Sequence, residues 1–114
     1  MTQNRNKLIE LFIGNVSNLI VHKILESAIN QLELIIKYQK ESVNSLKIAK
    51  KYGEKINPVN TPLQERDINY IREKIIKRAK AELEKRISLG YENIDLNLIE
   101  KEVDKILKEA KISD

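Results

Sequence analysis

Residues 7–25, KLIELFIGNVSNLIVHKIL, form the stretch on which the fold turns. Leu8, Ile9, Leu11, Phe12, Ile13, Val16, Leu19, Ile20, Val21, Ile24 and Leu25 recur at helical spacing. They spread well beyond the ~100° apolar stripe of an ordinary surface helix. A helix that is apolar on more than one side needs cover from several neighbours, and the remaining sequence must supply it or leave it to another chain.

No proline interrupts residues 7–52, and Val21, Leu25, Ala28, Leu32, Ile35, Val43 and Leu46 keep a near-heptad stripe. Two spots weaken the helix: Gly14-Asn15, at a cost of ~1 kcal/mol for the glycine, and the polar run Ser42 to Ser45. Because the stripe holds its phase through the second spot, the pattern predicts one long helix, straight or bent, of about 70 Å at the standard rise.

The strongest boundary follows it. Asn57-Pro58-Val59-Asn60-Thr61-Pro62 cannot continue a helix, since proline lacks the N–H donor and restricts the residue before it. Thr61, Pro62 and Gln64 read as N-cap, first helical residue and closing partner of a capping box. The stripe Ile68, Ile71, Ile75, Ala79, Leu83 and Ile87 then predicts a second helix. Gly90 is placed to end it as a left-handed residue. Asp95 is placed as the next N-cap, with Ile94 and Ile99 spaced as a hydrophobic staple. Ile99, Val103, Ile106 and Ala110 mark a short third helix. Glu73–Lys77, Glu82–Arg86 and Asp104–Lys108 have the spacing and order of stabilising pairs on a helix face.

The fold expected is all-α: a long N-terminal helix, an antiparallel second helix and a short third helix, in one domain over residues 1–114. The last two helices, roughly 60 Å of cylinder together, cannot cover both faces of the first. A second copy of the chain is the simplest remaining cover, so a homodimer is expected, with Phe12, Val16, Leu19, Ile20 and Ile24 at the interface.

Composition narrows the function classes. Apolar residues make up 41% and charged residues 33%, with 3 Gly and 2 Pro, too apolar for a disordered tail and too poor in turn formers for an all-β domain. The absence of Cys removes disulfides, thiolate zinc sites and cysteine nucleophiles. No unbroken apolar run approaches the ~18 residues of a membrane span, and no signal-peptide pattern opens the chain. A cytoplasmic domain without a membrane partner is expected.

Charge is segregated. Residues 1–36 are neutral overall, residues 37–86 carry a net +7 and residues 87–114 a net −3. The basic middle could contact phosphates through Lys47, Lys50, Lys51, Lys55, Lys74, Lys77 and Arg78. The competing reading is a set of solvated helix faces. A helix-turn-helix reading of the last two helices fails, because the would-be recognition helix opens with Asp95, Glu100, Glu102 and Asp104, which phosphate repels.

Catalytic signals are weak. His22 is the sole histidine and has no second imidazole or thiolate to complete a metal site. Glu100 and Asp104, and Glu26 and Glu33, share helix faces but lack the Glu-x-x-His pairs of helical di-metal centres. No phosphate-binding glycine loop or nucleophile elbow occurs. Tyr38, Tyr52, Tyr70 and Tyr91 could stack on bases, or simply pack. The sequence therefore points to a non-enzymatic helical binding module without cofactor, catalytic or metal residues. It is expected to self-associate, with nucleic acid as a candidate partner of residues 37–86. The alternative is a protein–protein adaptor or structural subunit that docks a larger complex through the apolar first helix.

Overall fold

The stripe from Val21 to Leu46 does not lie on one rod. The computed structural model describes residues 5–28, 32–58 and 63–113. These form four helices and no strand: α1 (Arg5–Ala28), α2 (Leu32–Ile56), α3 (Glu65–Ser88) and α4 (Leu98–Glu109). The expected long helix is two helices that fold back on each other. The molecule measures 43 × 25 × 24 Å, too short for a 70 Å rod. The physical reason is burial: a doubled-back helix brings its own second half onto the multi-sided apolar surface of its first.

The two expected weak spots lie inside helices and face each other. Asn15 of α1 donates from Nδ2 to the carbonyl of Ser45 on α2 at 2.7 Å. His22 Nε2 stands 3.5 Å from Glu41 Oε2, and Gln39 Nε2 donates to Glu26 Oε1 at 3.0 Å. As the α1 number rises the α2 number falls, so the pair is antiparallel. The buried positions of α2 are mostly small: Ser42, Ala49, Gly53 and Ile56. Small residues let the two backbones approach closely, which is why the Ser-rich run is a seam and not a break.

α3 runs parallel to α1, which corrects the antiparallel arrangement expected for a continuous first helix. Arg5 pairs with Asp67 at 3.4 Å, the Tyr70 hydroxyl donates to Glu10 at 2.7 Å, and Arg78 lies against Gly14. α4 returns antiparallel to α3, tied by Arg72 Nε to Asp104 Oδ1 at 2.8 Å. α1 is thus central, with α2 on one flank and α3 and α4 on the others. Phe12, Val16, Leu19, Ile20 and Ile24, the residues expected at a dimer interface, are at most 1% exposed inside this single chain. Their cover comes from α2, α3 and α4, so the expectation that they face a second copy is corrected. α1 is also long and apolar enough to cross a membrane by length and composition alone, with a mean hydropathy of 1.4 over eighteen residues, of which 61% are buried in the bundle.

The helix ends test the capping signals. Gly90 has φ +101°. Its N–H bonds the Ile87 carbonyl, and the Tyr91 N–H reaches back to Arg86 at 3.1 Å, the paired bonds of a Schellman motif. Asp95, expected as the N-cap of the last helix, instead stands one turn ahead of it: its Oδ1 accepts the Asn97 N–H at 3.0 Å, while Asn97 itself is the N-cap of α4 and makes no side-chain capping bond. Thr61 and Pro62 lie outside the described residues. Gln64, expected inside the helix, instead stands at its N-cap with ψ 145°. The Leu63 N–H is committed to the Ile112 carbonyl at 3.2 Å, which holds the chain extended up to Gln64. The same C-terminal turn repeats the Schellman pattern with Lys111 at φ 60°, buries Ile112, and accepts a bond from Asn57 Nδ2 on the Lys111 carbonyl at 2.9 Å.

Candidate polyanion-binding face

The basic middle of the sequence divides between two helices that behave differently. On α2, successive residues turn by about 100°, which puts Tyr38, Ser42, Leu46, Ala49 and Gly53 toward α1 and Ile36, Lys40, Val43, Lys47, Lys50 and Lys51 on the opposite side. Lys37 and Lys55 flank that outer stripe. All six lysines are exposed. Among the described residues none of them stands within salt-bridge distance of a carboxylate. The N-terminal half of the face is apolar, with Leu32, Ile36 and Val43 exposed at 69, 43 and 57%. A shallow cleft of about 450 Å³ is lined by Ile36, Gln39, Lys40, Val43, Asn44 and Lys47.

On α3 three of the eight basic side chains are paired with carboxylates. Arg72 holds Asp104 at 2.8 Å and Glu100 at 4.0 Å. The Asp104 hydrogen bond is the chief cause that raises its pKa. Arg86 holds Glu82 at 3.2 Å and lies 5.5 Å from the Tyr91 ring centre. Partial burial works against its charge, and the hydrogen bonds to Glu82 and Tyr91 outweigh that effect, so its pKa is also raised. Lys80 meets Glu84 at 3.9 Å. Of the expected helix-face pairs Glu82–Arg86 forms, whereas Asp104 turns to Arg72 on the neighbouring helix.

The candidate residues therefore split. Lys47, Lys50, Lys51 and Lys55 share the C-terminal half of α2. Lys74, with its Nζ 5.8 Å from the Tyr70 ring centre, Lys77 and Arg78 lie on α3. α2 and α3 each pack on α1 and barely touch each other, so the seven side chains do not form one continuous patch. Sequence reading missed the apolar half of the α2 face, because Leu32 and Val43 kept the phase of the expected rod's stripe and Ile36 was left unassigned.

The tyrosines are engaged elsewhere. Tyr38 stacks near His22, with centroids 5.5 Å apart, and Tyr52 packs half-buried against the core. Tyr70 bonds Glu10, which is the main reason its phenol pKa is raised. Tyr91 lies under Arg86. Among the described residues no three His, Asp or Glu side chains gather as a metal set would. No family model, curated protein or solved structure matches the chain.

Proposed function

We propose that this protein is a non-catalytic helical binding module that takes a polyanionic partner, nucleic acid first, on the outer face of α2. One observation carries the reading: among the described residues all six lysines of α2 lie exposed without a carboxylate partner on one helix, whereas on α3 Arg72, Lys80 and Arg86 are held by carboxylates and Arg66, Lys74, Lys77, Arg78 and Lys85 are not. A cationic helix face of this kind draws phosphates by counterion release, with little preference for sequence. The test is binding to generic duplex and single-stranded DNA and RNA across a salt series. The Lys50→Glu, Lys51→Glu double variant should weaken binding to every sequence alike. Each phosphate that the variant no longer neutralises should also flatten the log–log salt slope by ~0.9 on duplex or ~0.7 on single strands. Lys105→Glu with Lys108→Glu on α4 is the matched control and should matter much less. Absence of binding by the unaltered protein at ~50 mM salt, where screening is weak, would remove the reading. Equal losses from the two pairs would also do so, since they would report net charge and not a site.

A second reading rests on exposed Leu32, Ile36 and Val43. They give a protein partner, or a second copy of this chain, an apolar stripe on which to dock. Self-association then belongs to α2, not α1. Light scattering should give about twice 13.3 kDa, falling to the monomer value in Ile36→Lys. A monomer at every concentration would leave docking to a different protein.

A further inference from the structure

A second polar feature lies away from the α2 face, in the groove between α1 and α3. Its volume is about 280 Å³, and Gly14, Asn18, His22, Arg78, Glu82 and Arg86 line it. Gly14 leaves the α1 wall bare: an Arg78 guanidinium nitrogen lies 3.5 Å from where a Cβ at position 14 would stand, so that side chain is laid against the helix instead of trailing in solvent. Among the described residues Arg78 has no carboxylate partner. Glu82, the one acid in the lining, is matched by Arg86 at 3.2 Å. That leaves Arg78 as the uncompensated charge of the groove. His22 closes one end of the groove: its Nε2 faces Glu41 at 3.5 Å and its buried Nδ1 has no hydrogen-bond partner among the described residues, so the ring serves as a neighbour of the seat and not as its donor. Asn18 adds an amide.

We propose that this groove is a seat for a phosphoryl group. A guanidinium fork matches phosphate oxygens with two parallel hydrogen bonds, and the Asn18 amide beside it can donate to a further oxygen without adding charge. The volume falls just below the ~300–1,000 Å³ of ordinary small-molecule pockets, which suits a phosphate ion or a small phosphate monoester better than a large cofactor. The seat uses no α2 lysine and stands independently of the nucleic-acid reading.

His22 is the only histidine, so its imidazole carbon-bound protons give an unambiguous NMR reporter at the groove. Inorganic phosphate and adenosine 5′-monophosphate are titrated separately, at fixed pH and with chloride adjusted to constant ionic strength. The His22 signals should move saturably with at least one of them. The Arg78→Gln variant should weaken that binding by about tenfold or more, because it removes a charge-assisted fork. Lys50→Gln with Lys51→Gln should leave it unchanged. Arg78 is exposed, and an unaltered amide spectrum will show that its variant folds. Equal affinity for the two probes identifies the free ion as the occupant, and preference for the monophosphate identifies a small phosphate monoester; both support the seat. A shift that stays linear in both probes overturns the proposal, as does binding that survives Arg78→Gln. Loss of binding in the lysine double variant overturns it too, and traces the signal to the α2 face.

Discussion

α1 and α2 are almost equal in length, 24 and 25 residues, yet α1 buries eleven positions and α2 only four. α1 is surrounded: its buried residues include Phe12, Ile13, Leu19 and Ile24, all large and all closed off from solvent. α2 is held along one seam, where its fully buried positions are mostly small and Tyr38, Leu46 and Tyr52 pack half-buried beside them. Apolar burial stabilises by roughly 25 cal/mol per Å², so the two helices contribute unequally even though both are fully helical. The pair separates two jobs. One helix organises the bundle, and the other presents a surface, because a helix anchored by small residues keeps its large and charged side chains for the outside.

Phe12 is where this contrast is strongest. Phe12→Ala should cost about 3–5 kcal/mol, through the transfer energy forfeited and a cavity that surrounding helices cannot fill. A denaturant midpoint that barely moves would mean α1 is not the organising element. The seam is tested by Gly53→Ala. A Cβ there would stand 2.8 Å from the Ala110 carbonyl oxygen, a backbone atom that cannot swing aside. Overpacking of ~1–3 kcal/mol should outweigh the ~1 kcal/mol that alanine gains in helix preference. Thermal melts should therefore show destabilisation, and a more stable variant would show that α2 and the C-terminal turn are not closely packed. The smallest effect belongs to the outer face: Val43→Lys should change stability by no more than ~0.5 kcal/mol. A larger drop would place Val43 in a buried position and remove the distinction between the two helices.

Much of the second half was legible in the sequence. Ile71, Ile75, Ala79 and Leu83 are buried as their spacing implied, as are Ile99, Val103, Ile106 and Ala110. Gly90 ends α3 by the chemistry its residue type suggests, and Asp95 closes the turn that leads into α4. The first half misled for a physical reason. Ile29-Asn30-Gln31, between α1 and α2, contains neither glycine nor proline, while Gly14 and Ser42, which do weaken a helix, lie inside one. A stripe of large apolar residues is a good guide only where large residues make the contact. On α2 small residues (Ser42, Ala49, Gly53) share the contact with Tyr38, Leu46, Tyr52 and Ile56, so Leu46 of the expected stripe packs on the core while Leu32 and Val43 kept its phase without being on the buried face. The candidate site was half legible for the same reason. The lysines could be read directly from the sequence. The pairing of Arg72 could not, since it depends on Asp104 crossing from α4.

The turn at Lys111 and Ile112 has a consequence for how the chain comes to be folded at all. It is the point at which Asn57, at the end of α2, and Leu63, ahead of α3, are both fastened, through the Lys111 and Ile112 carbonyls. Those partners are made some fifty residues before the atoms that fasten them. During synthesis the ends of α2 and α3 therefore lack these two fastenings until Ile112 has left the ribosome. The connection between α2 and α3 is thus locked last, by that C-terminal turn, so the order of synthesis is also the order in which that junction becomes fixed.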